Sequence, residues 1–309
     1  MRWFLLALVI GCVAAKQNCA FYSTKVGEFD LVVLSDGTTR SGALRDLVVD
    51  VTPSAINTAL ETYFVSEEGV AVNYNPVYLD TGDFKVLFDT GSAQHFGPSA
   101  GKLLETMMAA GLHPDEVDAV VLSHAHIDHL GGVLKPDGSI AFPNAQYFLG
   151  RVEHEYWSAA TLEDELVKRW RIPPMAKAMA MNVTKTTLPA MQDKLTLFEF
   201  GDEIIPGVTS RATVGHTPGH SAFIIKSGEE SFFISGDSIV IDFASVDHPE
   251  WVIVFDMDDK TAVDTRFELL EELASTGMRG AYYHIGFPGI GNIYRQSNGY
   301  GFRASRFEL

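Results

Sequence analysis

Short apolar runs alternate with amphipathic segments along most of the chain, which predicts a protein that mixes strands and helices. Residues 78–90 are typical of a hairpin with its turn at 80–83, and residues 222–237 repeat that scheme. Residues 102–110 have the spacing of a helix that stops at Gly111. The repetition favours two similar halves, packed as two sheets with helices outside.

Residues 151–195 differ from the segments on either side, because they combine acidic, aromatic, Met and Lys residues with a Pro-Pro break. We interpret this stretch as two or three amphipathic helices inserted between core strands. The insertion is either an ordinary packing layer or a cap over the functional site. In the second case its aromatic side chains would line a substrate pocket.

The amino terminus has the pattern of a targeting segment. Residues 3–10 are apolar but too few to cross a bilayer, and residues 13–15 are small, as before a signal-peptidase site. We therefore expect a signal peptide over 1–15 and a single domain over 16–309, secreted or periplasmic and without a transmembrane segment in the mature chain. Alternatively, the leader is a lipoprotein signal that ends before a lipidated Cys12, or a buried first element.

Composition narrows the classes of function. The 309 residues are 46% hydrophobic, enough to bury a large core, and the formal net charge is −17. No stripe of Lys or Arg is present, which argues against nucleic acid as a partner. The two cysteines, Cys12 and Cys19, both lie near the amino terminus. Removal of residues 1–15 would leave Cys19 without a partner, so we expect a metal site in the mature chain to use histidine and carboxylate ligands.

A dense cluster of metal-binding side chains follows the apolar, strand-like residues 117–122. His124, His126, Asp128 and His129 occupy four of six consecutive positions, and two glycines follow them. Imidazole and carboxylate together suit zinc-type divalent ions. The carboxyl end of a strand is also where sites in α/β sheets usually lie. The cluster therefore predicts a metal site.

Further candidate ligands occur in three later loops. His216 and His220 lie in a Gly/Pro turn, Asp237 follows the second hairpin, and His284 follows the apolar residues 281–283. Taken alone, His284 fits a core position better than a ligand position. All four loops can meet at one end of the core.

Together these motifs resemble the metallo-β-lactamase-fold hydrolases over residues 27–291. The residues from His124 to His129 match the family's HxHxDH motif, and His216, Asp237 and His284 match its later ligands. Residues 95–98, 255–258 and 284–291 resemble the methyl parathion hydrolase-like branch.

The resemblance implies an αββα sandwich, an α/β fold of two mixed β-sheets flanked by helices, around a dinuclear site. We expect two Zn²⁺, with Mn, Co, Fe or Cd as substitutes. The implied ligands are His124, His126 and His216 for one ion and Asp128, His129 and His284 for the other, with Asp237 shared. The resemblance also implies that His220 orients the ligands and that Asp89 is a structural acid near the site. The remaining histidines match no ligand position, and we expect them to be surface or packing residues: His95, His113, His154 and His248.

The implied chemistry is hydrolysis by a metal-bridging hydroxide, with Asp128 or Asp237 relaying a proton. Phe96 and Trp157 match pocket positions of the branch and imply a small, neutral, partly apolar substrate. Esters, lactones and organophosphate triesters meet that description. Val240 stands where acyl-homoserine lactonases of the fold typically have a tyrosine, which disfavours a standard quorum-quenching lactonase.

Three other functions stay open at this point. A mononuclear iron dioxygenase of the persulfide dioxygenase type would need only His124, His216 and Asp237. A glutathione thioester hydrolase would need basic residues near the carboxyl end, and the pattern there does not match. A non-catalytic binding protein would not need the complete ligand set. The oligomeric state is also open, and a homodimer is one option.

Overall fold

Two seven-stranded mixed β-sheets face each other across a shared apolar core, as the computed structural model shows for residues 20–66 and 68–306. This arrangement, with helices on both outer faces, confirms the αββα sandwich expected from the resemblance. The leader expected over 1–15, together with Cys12 and Cys19, lies outside the described residues.

The first sheet has the strand order β1-β2-β6-β7-β8-β9-β10. Its strands are β1 Phe21–Val26, β2 Phe29–Leu34, β6 Val77–Asp80, β7 Lys85–Phe88, β8 Ala119–Leu122, β9 Gln146–Gly150 and β10 Leu195–Phe198. Strands β7 to β10 are parallel to one another, and the pairs β1–β2, β2–β6 and β6–β7 are antiparallel. The hairpin predicted over 78–90 is the β6–β7 pair.

The second sheet has the order β11-β12-β13-β14-β16-β17-β18. Its strands are β11 Glu203–Ile205, β12 Val208–Ala212, β13 Ser221–Ser227, β14 Glu230–Ile234, β16 Arg279–Ala281, β17 Ile290–Gln296 and β18 Gly299–Ala304. Only β14 and β16 pair in parallel. Two small antiparallel ribbons, β3 Gly37–Arg40 with β5 Ala71–Tyr74 and β4 Val48–Val49 with β15 Val252–Ile253, complete the strands.

The α-helices of the described part are α1 Leu44–Leu47, α2 Pro53–Thr62, α3 Leu103–Ala109, α4 Ile127–Leu130, α5 Arg151–Trp157, α6 Leu162–Arg169, α7 Pro174–Met191 and α8 Asp259–Thr276. Their ends follow local rules. Asp258 caps α8 by accepting a hydrogen bond from the Thr261 backbone N–H, and Gly277 ends it in the left-handed conformation. None of the described helices is long and apolar enough to cross a membrane.

Alternation of apolar residues along the strands forms the layers. Inward-facing side chains such as Val86, Phe88, Phe223 and Ile225 are buried between the sheets. Outward-facing residues of the first sheet pack against α3 and the inserted helices α5 to α7, and those of the second sheet pack against α8. The segment 151–195 therefore forms three helices, which connect β9 to β10 on the outer face of the first sheet.

Parallel pairing brings the candidate ligands to one edge of the sandwich. Strands β7 and β8 end side by side, so Asp89 lies beside the loop that begins at Ser123. Strands β14 and β16 also run parallel, which places Asp237 beside His284. Strand register, rather than any feature of a single loop, therefore assembles the site.

Candidate metal centre

A buried cluster of three histidines and one aspartate forms the first half of the site. The ligand atoms of His124, His126, His216 and Asp237 all lie within 4.8 Å of one another. His126 Nδ1 is 3.0 Å from His216 Nε2, and His216 Nε2 is 3.2 Å from Asp237 Oδ2. Three imidazole nitrogens and one carboxylate oxygen suit a tetrahedral, zinc-type ion.

A second cluster shares the same aspartate. The ligand atoms of Asp128, His129, Asp237 and His284 also lie within 4.8 Å of one another. Both His129 Nε2 to Asp237 Oδ1 and His284 Nε2 to Asp237 Oδ2 are 3.0 Å. Asp128 and His129 lie on the one-turn helix α4 rather than on a loop, because the chain coils directly after His126. All seven predicted ligands therefore come together around one carboxylate.

Unpaired buried atoms show that this donor set fits cations. The Nε2 atoms of His124 and His129 and Oδ1 of Asp237 are inaccessible to solvent and make no well-aligned hydrogen bond within the described part of the chain. The 3.0 Å contact between His129 Nε2 and Asp237 Oδ1 is an ion-pair contact without that alignment. Unpaired buried polar atoms are costly, and divalent ions would satisfy these. The two overlapping clusters contain only nitrogen and oxygen ligands, which fits a dinuclear zinc-type centre.

Hydrogen bonds behind His129 and His284 orient their rings. His129 Nδ1 donates to Asp89 Oδ2 at 2.8 Å, and His284 Nδ1 donates to the carbonyl of Asn73 at 2.8 Å. Each bond turns the Nε2 atom toward Asp237 and leaves it free to bind a cation. Asp89 also accepts hydrogen bonds from the backbone and side chain of Ser123, so it holds the start of the ligand loop. This position agrees with the expected structural acid.

A buried ion pair orients His216. His216 Nδ1 donates to Asp256 Oδ1 at 3.0 Å, and Arg266 donates to Asp256 Oδ2 at 2.9 Å. Arg266 also donates to the carbonyls of Pro249 and Trp251, so most of its donors are satisfied inside the protein. The pair gives His216 a fixed tautomer without adding net charge behind it.

His220 binds the backbone beside the shared carboxylate rather than a cation. The N–H of Asp237 donates to His220 Nε2 at 2.8 Å, and His220 Nδ1 donates to the carbonyl of Thr213 at 3.1 Å. Burial lowers the pKa of His220 to about 3, so the ring stays neutral and keeps this tautomer. A Cβ at Gly236 would lie 2.6 Å from His220 Nε2, so this contact requires glycine.

The pKa values of the histidine ligands differ between those that stay neutral and those that bind a proton. Burial lowers the pKa of His124 and His126 well below the ordinary value, and neighbouring imidazoles lower it further, so both stay neutral. Burial also lowers the pKa of His216, but Asp237 and Asp256 outweigh it and raise that pKa to about 9. Protons and metal ions therefore compete for the same nitrogen atoms.

Burial of Asp237 would raise its pKa, but the surrounding imidazoles of His129, His284 and His216 hold it well below the ordinary value. The shared carboxylate is therefore anionic, as a bridging ligand has to be.

A cavity of about 690 Å³ opens above the two clusters, with His126, Asp128, Asp237 and His284 in its wall. Most of its remaining wall is apolar, and includes Leu47, Val72, Phe96, Trp170, Ile172, Pro173, Met179, Val240 and Phe255. Arg171 also reaches the wall, but its guanidinium makes a bidentate ion pair with Asp259. The cavity thus suits a neutral, partly apolar molecule.

The expectation for Phe96 agrees with this cavity, whereas the expectation for Trp157 is corrected. Trp157 is 1% exposed and lies behind the cavity wall, with its ring edge-on to His126. Trp170 takes the place facing the cavity and stacks on His126 with 4.5 Å between ring centroids. Both tryptophans lie in the inserted segment, and only the packing of α5 against the ligand loops decides which one is covered.

Four other histidines lie outside both ligand clusters. His248 stacks on Trp251 with 4.2 Å between ring centroids, which makes it a packing residue. His95, His154 and His248 are partly buried and His113 is exposed, as expected for surface or packing positions.

Curated proteins with similar sequences are lactonases. The chain is 26% identical to an N-acyl homoserine lactonase of Bacillus thuringiensis over 126 residues, 41% of this chain and 40% of that protein. It is 28% identical to the N-acyl homoserine lactonase AttM of Agrobacterium fabrum over 128 residues, 40% of this chain and 41% of that protein. The chain thus matches about two fifths of the length of these relatives.

Solved structures match over almost the whole chain. The hydrolase AbOPH of the beta-lactamase superfamily has a TM-score of 0.86 and 29% identity, covering 95% of this chain and 100% of that one. AidC, a dizinc quorum-quenching lactonase solved with an N-acyl-L-homoserine product, has a TM-score of 0.85 and 27% identity, covering 94% of this chain and 99% of that one.

The sequence model of the metallo-beta-lactamase superfamily matches residues 69–275, which include six of the seven clustered ligands. The remaining one, His284, joins them through the fold. On this match, and on the sandwich and site described above, the chain belongs to the metallo-beta-lactamase superfamily.

Proposed function

We propose that the protein is a metal-dependent hydrolase of lactones, with N-acyl homoserine lactones as the first substrate class to test. One observation carries this proposal. A complete seven-ligand site reaches, through His126, Asp128, Asp237 and His284, a mostly apolar cavity whose described wall offers no unpaired Lys or Arg. The lactonases among the relatives and AidC among the similar structures support the choice of substrate.

Two divalent ions bound by the clusters would activate water and polarise the substrate oxygen. The chain's own residues set the geometry for that chemistry. Asp237 is enclosed by imidazoles and fixes the spacing between the two sites. The side chain of Asp128 is 14% exposed and reaches the cavity, so we assign to its carboxylate the relay of a proton from the attacking water to the leaving oxygen.

The cavity supports a neutral substrate over an anionic one. Arg171 is the only Lys or Arg among the wall residues, and its pairing with Asp259 leaves no free cation for a carboxylate. Glutathione thioesters carry carboxylates and are therefore disfavoured. Neutral esters and organophosphate triesters present a similar electrophile, and we include them as slower substrates of the same site.

A tyrosine elsewhere in the cavity supplies the hydroxyl that position 240 lacks. The ring of Tyr74 lies edge-on to His284 with 5.5 Å between ring centroids, and its hydroxyl is 2.6 Å from Thr39 Oγ1. Tyr74 and Thr39 both lie in the cavity wall. When Thr39 donates to the tyrosine oxygen, the phenolic proton is free for a substrate carbonyl oxygen. Tyr74 thus replaces a tyrosine at 240 in this proposal.

The ions and the location of the protein complete the proposal. We assign two Zn²⁺ to the site, because its nitrogen and oxygen ligands suit that ion. The leader pattern over 1–15 supports secretion or a periplasmic location, with lipidation at Cys12 as the anchored form.

The substrate class is tested by comparing kcat/KM of the zinc-loaded protein for an N-acyl homoserine lactone and for a dimethyl aryl phosphotriester. We expect the lactone value to be larger by at least about tenfold, a difference of about 1.4 kcal/mol in transition-state stabilisation. A reversed preference would reject the lactone assignment and favour a phosphotriesterase. No turnover of either substrate by protein with two bound ions would reject both.

Replacing Asp237 by alanine tests the shared ligand. Since both clusters lose a carboxylate, we expect Asp237→Ala to retain fewer than two zinc ions and to lose at least about 100-fold in kcat. Asp264→Ala is a matched control, because this exposed aspartate on α8 pairs with Lys260 and with no other residue that the structure describes. Full zinc occupancy and unchanged kcat in Asp237→Ala would contradict the assignment.

Replacing Tyr74 by phenylalanine tests the proposed hydroxyl. Loss of one hydrogen bond to the substrate should lower kcat/KM about tenfold while zinc content stays at the wild-type level. Thr39→Val is the companion variant, and we expect a smaller loss because the tyrosine proton remains. Wild-type kcat/KM in Tyr74→Phe would remove Tyr74 from the mechanism without affecting the metal assignment.

A further inference from the structure

Glu153 is a completely buried carboxylate that lies outside both ligand clusters. Its Oε1 accepts hydrogen bonds from the backbone N–H of Ala125 at 2.9 Å and from the indole N–H of Trp157 at 2.7 Å. Its Oε2 accepts from the hydroxyl of Thr217 at 2.8 Å and from the backbone N–H of Gly219 at 2.9 Å. Four donors from three segments thus converge on one side chain.

Two of these segments are the loops that hold the three-histidine cluster. Ala125 lies between two of the histidine ligands, and Thr217 follows the third. One loop leaves the first sheet and the other connects β12 to β13 in the second sheet. A single carboxylate that bonds both loops therefore fixes the distance between ligands that come from different sheets.

The donors also decide the charge of Glu153. The two backbone N–H groups and the indole N–H can donate a hydrogen bond but cannot accept one. If Glu153 were protonated, its O–H could therefore donate only to the hydroxyl of Thr217, and would otherwise point at another donor. In the described part of the chain no ion pair joins Glu153 to a cation. Asp256 differs, because Arg266 neutralises it. Burial raises the pKa of Glu153, whereas each of the four donors lowers it, and the directions of these donors favour the carboxylate form. In that form Glu153 adds a negative charge behind the imidazoles, which favours a cation there.

Close packing joins the same residue to the helical insertion. A Cβ at Gly219 would lie 2.1 Å from the backbone nitrogen of Glu153, so only glycine lets the loop approach helix α5 this closely. Trp157, one turn further along α5, lies edge-on to His126 with 5.7 Å between ring centroids. Helix α5 therefore contacts the ligand loops through both Glu153 and Trp157.

We propose that Glu153 is a positioning residue whose buried anionic carboxylate sets the spacing of the two ligand loops, and thereby the cation affinity of the His124, His126 and His216 cluster. The inference goes beyond the proposed function, because it concerns how the chain binds metal and does not depend on which substrate is cleaved.

Asp36 provides a matched control within the same chain. It is also completely buried and accepts four hydrogen bonds, from the backbone and hydroxyl of Ser92 and from the backbone N–H groups of Gly101 and Leu103. It holds the segment before helix α3 and contacts neither ligand loop. Asp36→Asn therefore removes a comparable buried carboxylate away from the three-histidine cluster.

The test compares zinc affinities of the full chain, measured by competition with a chromophoric chelator, for wild type, Glu153→Gln and Asp36→Asn. The free energy of unfolding of each metal-free protein is measured by urea denaturation. In Glu153→Gln one amide NH₂ faces two donors, so we expect one of the two zinc ions to bind about 10- to 100-fold more weakly. We expect Asp36→Asn to lose stability while binding both ions with wild-type affinity.

A milder variant keeps the test decisive if Glu153→Gln does not fold. Thr217→Val removes one of the four donors and preserves the shape of the side chain, and we expect a smaller weakening of the same zinc ion. Wild-type zinc affinity in Thr217→Val, or in folded Glu153→Gln, would overturn the proposal. Equal weakening in Asp36→Asn would also overturn it, because a general loss of stability would then explain the effect. None of these readouts uses lactone turnover, so failure of the proposed function would be seen separately.

Discussion

The site depends on one buried carboxylate that two cation clusters share. Asp237 lies within 3.0–3.2 Å of ring nitrogens from His129, His216 and His284 and remains anionic despite burial. A charge removed from water is tolerated only when opposite charge or strong donors compensate it. Without metal, protons on His129, His216 and His284 supply that charge, because Asp237 raises the pKa of all three rings against the effect of burial. Bound divalent cations would take the place of these protons, and the rest of the site holds the ligands where cations can bind.

Three layers of support position the ligands. Parallel pairing of β7 with β8 and of β14 with β16 brings the four ligand loops to one edge. Polar partners behind the rings then fix their tautomers. His220 holds the backbone of Asp237, and Glu153 connects the two loops of the three-histidine cluster. The apolar residues of the cavity wall make none of these supporting contacts, so substitutions there can change the substrate preference without moving the metal ligands.

Much of this site could be predicted from the sequence. The spacing of His124, His126, Asp128 and His129 after an apolar run indicates ligands at the end of a strand, and the repeated hairpins indicate two sheets. These patterns lie within short stretches of sequence, so they can be recognised without knowing how distant segments pack. Asp237 and His284 needed the family resemblance, because a lone acidic or histidine residue after a strand has no distinctive spacing.

The parts that could not be predicted depend on contacts between distant segments. The sequence does not distinguish Trp157 from Trp170, because only the docking of α5 decides which ring is covered. Glu153 has the local pattern of an exposed helical residue and becomes a buried anion only when both loops pack against it. Val240 stands where the lactonases of the fold typically have a tyrosine, whereas Tyr74, from a distant strand, lies in the wall of the same cavity. The sequence does not show that these two segments share one cavity, because only the tertiary fold brings them together.

Anomalous diffraction at the zinc edge, from crystals of the zinc-loaded protein, tests the central role of Asp237 most directly. We expect two peaks, one on either side of its carboxylate: the first beside the three-histidine cluster and the second beside Asp128, His129 and His284. A single peak at the three-histidine cluster, with the second set of ligands empty, would contradict the shared-carboxylate account. That result would favour a mononuclear enzyme of the same fold.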